Sequence, residues 1–169
     1  GLSSLMALYV SVIRGTPLLV QIFIFYYGLP SVGIELSPIT AGILTLTLNV
    51  AAYMSETLRG SINAVTQGQW QAGTSLGLTR DQTLRYVVGP QALRAAVPSL
   101  SNSLISLIKD TSLVSVIAVT ELMLATKELI STTFQPFPLY LAAAAIYWVL
   151  SLSFEQIQRW MEKRVAYPY

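Results

Sequence analysis

"LISTTFQPFPLYLAAAAIYWVLSLSF", residues Leu129–Phe154, holds no Asp, Glu, Lys or Arg in 26 positions. A helix that crosses a bilayer needs about 20 mostly apolar residues, so this stretch reads as a membrane span. Two more charge-free runs have the right length, residues 15–34 and 36–55, of 20 residues each. A fourth stretch, Ala95–Thr120, has 26 residues and is interrupted only by Lys109-Asp110. Four spans are therefore expected, centred near Leu18–Leu29, Ile39–Ser55, Val97–Val119 and Leu139–Phe154. Thr40, Thr45, Thr47, Asn49 and Ser55 are too polar to face lipid, which predicts a bundle with polar faces turned inward. The fold class that follows is an all-α integral membrane protein, with residues 1–169 as one transmembrane domain.

Composition agrees. The chain is 53% hydrophobic and 11% charged, against about 25% charged in soluble domains. It has no cysteine and no histidine, which excludes disulfides, thiolate metal sites, Ser-His triads and most zinc sites. No metal or cofactor is expected. A net charge of +2 is too small to argue for nucleic acid. The first residues, Gly1-Leu2-Ser3, are neither an initiator methionine nor the basic start of a signal peptide, and a further span is expected upstream.

Basic residues collect in short loops on the cytoplasmic side of a membrane. Arg14 precedes the first span, Arg59, Arg80, Arg85 and Arg94 lie between the second and third, and Arg159, Lys163 and Arg164 follow the fourth. These are eight of the ten basic residues, and four spans put all three groups on one side. The opposite loops, Pro30–Pro38 and Lys127–Pro138, hold only Lys127.

The cytoplasmic segment between the second and third spans, about residues 60–94, reads as a built object. Thr66 with Gln69, and Thr79 with Gln82, have capping-box spacing. Gly77 is placed to end a first short helix in the left-handed conformation, and Gly89-Pro90 to stop a second. Trp70, Ala72 and Leu76 can share one helix face, and Arg80 and Arg85 are left exposed. A solvated loop on the membrane surface is one reading and a docking element for a cytoplasmic partner the other. Helix–Gly–helix spacing also resembles a DNA-binding helix-turn-helix, but bracketing membrane spans and a shortage of base-reading side chains count against it. No phosphate-binding G-x-x-x-x-G-K-[ST] loop occurs in the chain, so energy for uphill transport would have to enter from another chain, and the docking reading is favoured.

The run from Glu56 to Leu122, "ETLRGSINAVTQGQWQAGTSLGLTRDQTLRYVVGPQALRAAVPSLSNSLISLIKDTSLVSVIAVTEL", resembles the permease subunits of bacterial ABC importers for polar amino acids. So does "YVSVIRGTPLLVQIFIFYYGLP", Tyr9–Pro30, which is similar to the segment that opens their second span. The resemblance covers nearly the whole chain. It implies a type I importer permease fold, usually of five spans, the first of which would precede this sequence. It implies a multi-pass subunit in the bacterial inner membrane that is not itself an enzyme. The implied partners are an ATP-binding subunit that hydrolyses ATP, a second permease copy or a related permease, and an extracytoplasmic solute-binding protein. The insert would be the coupling helix that sits in a groove of the ATP-binding subunit. The family signature opens Glu-Ala-Ala; here the matching positions are Gln71-Ala72-Gly73, with Gly77 as its later glycine, so the acid of any salt bridge at that point is missing. Gly89-Pro90 stands where the family often has Leu-Pro. Partner coupling is thus expected at Trp70, Gln71, Ala72, Gly73, Leu76, Gly77 and Arg80.

Ionisable groups inside a span are costly and point to function. Lys109 and Asp110 are such groups, but neighbouring helical residues point about 100° apart and cannot both face one partner. A free amino acid needs a carboxylate for its ammonium, and hydroxyls, amides or helix-terminal N–H groups for its carboxylate. Asp110 is the expected ammonium partner and Asn49 a second contact, with Thr111, Ser112 and Tyr53 as neighbours. Gln21, Tyr26 and Tyr27 are further polar groups on the first span. The competing reading of Asp110 is internal pairing that only holds the bundle. Glu56 and Arg59 read as interfacial, Arg14-Gly15-Thr16-Pro17 as a break at the start of a span, and Ala51, Ser55 and Ala142–Ala145 as close helix packing. A passive channel and an intramembrane enzyme remain the alternatives. A channel needs no coupling insert, and Glu56, Asp110 and Glu121 have no spacing that makes a carboxylate pair.

Overall fold

The computed structural model describes residues 2–165, with side chains for 3–163; Arg164, counted above among the basic residues, has its side chain outside that range. The described residues are mostly helical. Helix α1 spans Leu2–Gly15 and α2 Leu18–Phe23; α2 continues through a π turn, Ile24–Gly28, and a 3-10 turn, Leu29–Val32. Helix α3 spans Pro38–Ala64, α4 Gln67–Ser75 and α5 Arg80–Thr83. A second π turn, Leu84–Val88, leads into α6, Gly89–Asp110, which passes into a 3-10 segment, Thr111–Ile117. Helices α7, Leu122–Thr133, and α8, Pro136–Val165, complete the chain.

Among the described residues, two helices are long and apolar enough to cross a bilayer, α3 over Pro38–Ala64 and α8 over Pro136–Lys163. The first expected span is a broken element. Residues Ser3–Gly15 and Leu18–Val32 meet at 109°, and only together are they long and apolar enough to span a membrane. The Arg14–Pro17 break thus lies where the sequence places it, and α1 in front of it is a helix that the charge gaps did not reveal. Helix α6 has 22 residues, enough length, but Asn102, Ser103, Ser106, Lys109 and Asp110 keep it below the apolar standard of α3 and α8. It packs chiefly on α3 and α8, so its polar side chains can face protein instead of lipid. Apolar side chains stand exposed on α1 (Leu5, Leu8, Val12), α3 (Ile39, Ile43) and α8 (Trp148, Val149).

Two stop signals behave differently from the sequence expectation. Gly89-Pro90 does not end the helix of the insert. Gly89 is right-handed helical, with its N–H bonded to the Leu84 carbonyl five residues back. That wide turn needs no N–H from Pro90, and Pro90 falls at the N-terminal end of α6, where a missing donor costs nothing. A side chain at residue 89 would bring its Cβ to 2.6 Å from the Leu84 oxygen, which accounts for glycine at this wide turn. Thr66 precedes α4 in extended conformation but makes no side-chain cap, whereas Thr79 closes a full capping box. Its Oγ1 accepts from the Gln82 N–H at 3.3 Å, and its own N–H donates to Gln82 Oε1 at 2.9 Å.

The segment Lys127–Pro138, read as a loop, is mostly the helix α7. Glu121 starts it by accepting from the Met123 and Leu124 N–H groups at 2.8 and 2.7 Å, and Tyr147 Oη of α8 donates to the same carboxylate at 2.8 Å. Near this end lies a small buried core of Ile22, Ala41, Val114 and Ile117. At the other end, Arg14 pairs with Glu56 at 3.3 Å and Gln158 of α8 reaches the Pro98 carbonyl of α6 at 3.5 Å. Arg14, Arg59, the insert and the C-terminal part of α8 therefore share one end of the bundle, as the charge pattern requires.

Candidate functional site

Helices α3 and α6 run side by side and, with the α1–α2 break, enclose a cavity of about 400 Å3. Helix α6 lines it with Asn102, Ser106 and Asp110, and with Ser103 beside them. The spacing of four repeats along one helix face, which is why these side chains form a single polar stripe. Helix α3 contributes Asn49 and Tyr53. Asp110 is half-buried and turned into the cavity, while Lys109 is exposed. The structure thus brings Asp110, Asn49 and Tyr53 together. It does not bring Thr111 or Ser112 to the cavity wall: their hydroxyls donate to the Ile108 and Lys109 carbonyls, three residues back, at 2.6 and 2.7 Å. Asn102, Ser103 and Ser106 are not among the residues the sequence analysis singles out; the i, i+4, i+8 pattern through Asp110 contains Asn102 and Ser106, and Ser103 lies beside it.

The break between α1 and α2 forms one wall. Pro17 has no N–H, so the Ile13 carbonyl four residues earlier loses its helical partner. Gln21, 4% exposed, fills that gap. Its Nε2 donates to the Ile13 carbonyl at 2.7 Å and to the Thr16 carbonyl and Oγ1 at 3.1 and 2.9 Å. Its Oε1 accepts from Asn49 Nδ2 at 3.0 Å.

A second, wider cavity of about 910 Å3 lies between α1 and α3. Glu56 is held there by Arg59 through two bonds of 2.8 Å each, and by Arg14. The Arg14 guanidinium sits 5.4 Å from the centre of the Tyr53 ring, and Tyr53 lines both cavities. Glu56 and Arg59 are thus engaged with each other and lie off the polar stripe.

In the insert, Gly77 has φ +79° with nothing near its Cβ position. Gly73 faces inward: a Cβ there would lie 2.4 Å from Thr83 Cγ2 and 2.7 Å from its Oγ1. Gly73 is where α4 crosses α5, and it is buried. Trp70 is half-buried, Gln71, Ala72 and Arg80 are exposed, and Leu76 is 81% exposed at the tip. Trp70, Gln71 and Arg80 border a groove beside the end of α3. Gln91 of α6 donates to Gln69 Oε1 at 2.9 Å, tying α4 to the helix that lines the cavity.

Residues 2–167 match the family model described as "Binding-protein-dependent transport system inner membrane component". The chain is 45% identical over 160 residues to the L-cystine transport system permease protein TcyB of Bacillus subtilis, covering 94% of this chain and 68% of that one. It is 39% identical to the glutamine transport system permease protein GlnP of Escherichia coli, covering 93% and 73%. A chain in the crystal structure of an amino acid ABC transporter with histidines superposes with a TM-score of 0.88 at 40% identity, over 94% of this chain and 74% of that one. With a match over almost its whole length and a like fold, this chain belongs to the family of inner membrane components of binding-protein-dependent transport systems.

Proposed function

We propose that the chain is the translocation subunit of an ATP-driven importer that carries polar amino acids across the bacterial inner membrane. The observation that carries the reading is Asp110. Its half-buried carboxylate faces a cavity lined by amides and hydroxyls, and among the described residues no ion pair engages it. Internal pairing would leave it matched within its own chain. Asp110 meets the substrate ammonium, Asn49 and Tyr53 add contacts, and the donors of Asn102 and Ser106 serve the carboxylate. Charge-assisted bonds of this kind replace the water that a zwitterion sheds. Thr111 and Ser112 shape the turn just beyond Asp110. Relatives named for cystine and glutamine transport support the substrate class.

ATP is hydrolysed on a partner subunit, since the chain has no phosphate-binding loop. That subunit receives Trp70, Gln71, Ala72, Leu76, Gly77 and Arg80 on the exposed side of the insert, with Gly73 shaping it from within. A solute-binding protein delivers substrate on the opposite side, a second permease copy or a related permease completes the pathway, and lipid covers the apolar faces of α1, α3 and α8. A passive channel would have no use for the insert.

Gly77→Val tests the coupling arm. The position has room for a side chain, so the whole effect is the left-handed backbone, which costs an L-residue about 1–2 kcal/mol. The variant complex is expected to assemble yet lose most of its substrate-stimulated ATPase, and Gly77→Asn to retain it, because Asn visits that conformation readily. Wild-type stimulation in Gly77→Val would remove the insert from the coupling path.

A further inference from the structure

We infer that Gln21 is a positioning residue for substrate recognition: it fixes the amide of Asn49 so that an oxygen is presented to the cavity that holds Asp110. The inference rests on the reading of that cavity as the substrate site. The Ile13 and Thr16 carbonyls can only accept, so the NH2 group of Gln21 must face them. Its Oε1 must then face Asn49, and an oxygen there requires a donor. The NH2 group of Asn49 is the only donor group on that side chain, so it is this end of the amide that turns to Gln21, with one of its two N–H bonds donated at 3.0 Å. Asn49 Oδ1 is left pointing away from Gln21, and Asn49 lines the cavity. No described side chain donates to that oxygen.

The consequence is a polarity written into the cavity wall. A free asparagine amide can rotate and offer donor or acceptor. Held by Gln21, it offers its oxygen. With the Asp110 carboxylate across the cavity, the α3 and α6 walls then present two acceptors toward one group, which suits a substituted ammonium and disfavours a hydroxyl or carboxylate at the same point. Because Gln21 also bridges the broken end of α1, the orientation of Asn49 depends on the α1–α2 junction being closed. Pro17 is the root of the arrangement: it creates the orphan carbonyl at Ile13 that forces the orientation of Gln21.

The test uses the assembled complex of the full chain with its ATP-binding subunit, without the solute-binding protein, so that only the permease cavity is read. The probes are radiolabelled L-glutamine and L-cystine, each competed by its 2-hydroxy analogue. The readout is the affinity ratio between amino acid and hydroxy acid, which is independent of how much protein folds. Gln21→Met, which keeps the volume and loses the amide, is expected to lower the ratio about tenfold. Asn49→Ala should lower it as much, and the double variant no further, since the two act through one contact. A role confined to filling the break would reduce the yield of complex in Gln21→Met and leave the ratio unchanged, which would overturn the inference, as would strictly additive losses. If Gln21→Met is flat while Asp110→Asn lowers the ratio, the substrate site stands and the positioning role falls. If Asp110→Asn is flat as well, or neither probe binds saturably, the site reading itself is wrong.

Discussion

Asp110→Asn is expected to weaken apparent affinity for the transported amino acid by about ten- to a hundredfold, with assembly of the complex unchanged. The substitution keeps the shape of the side chain and removes its charge. A hydrogen bond to a charged group contributes about 1.5–3 kcal/mol, and a factor of ten corresponds to about 1.4 kcal/mol. Asp110 is not tied into an ion pair among the described residues, so its loss should not unlock a structural pair. The choice of control matters. Glu121 caps α7 through two N–H groups and accepts from Tyr147; a glutamine there has one acceptor oxygen and would disturb the fold. Glu128, exposed on α7, is the better comparison, and Glu128→Gln should transport normally. Unchanged affinity in Asp110→Asn, or failure only through lost assembly, would return Asp110 to a structural role.

Gly73→Ala should abolish most substrate-stimulated ATPase while substrate binding persists. The added methyl would lie within 2.4 Å of Thr83 Cγ2, and Thr83 is fully buried, so it cannot swing aside. Overpacking of this kind costs about 1–3 kcal/mol and pushes α4 away from α5, displacing the faces around Trp70 and Arg80. The contact also supplies its own remedy. Thr83 Oγ1 is buried with no hydrogen-bond partner, and removing an unpaired buried polar atom is not costly. Gly73→Ala combined with Thr83→Ala should therefore recover stimulation, measured as ATPase with and without substrate-loaded binding protein. A silent Gly73→Ala, or a double variant no better than the single, would show that the α4–α5 crossing does not set coupling.

Much of the architecture was legible because membranes impose simple length rules. The charge-free runs located α3 and α8, the Gly15–Pro17 break located the bend, and Gly77 located the turn of the insert. Other features depend on partners that are remote in sequence. Gly73 joins the expected docking residues because it falls in the family's coupling signature; only the approach of Thr83 shows that it faces inward. Gly89-Pro90 reads as a stop in any α-helix, but the π turn at Leu84–Val88 shifts the hydrogen bonding by one residue and lets the chain continue. Thr66 has capping spacing, yet its side chain makes no cap, whereas the same spacing at Thr79 closes fully. At the site, Asp110 and Asn49 stood out as polar groups inside apolar runs. Asn102 and Ser106 did not, since small polar residues on a mixed helix carry little signal until α3 is laid against it. Gln21 was noted as polar, but its role depends on an orphan carbonyl eight residues away.

The central claim is that this chain moves its substrate only when a partner hydrolyses ATP. Proteoliposomes carrying the full chain with its ATP-binding subunit, supplied with the solute-binding protein and the amino acid that protein binds best, test it directly. Accumulation above the external concentration is expected only when ATP is present on the side that bears the insert, and none with the permease alone. Equilibration of the amino acid through the permease without ATP or the ATP-binding subunit would contradict the account and identify a passive pore.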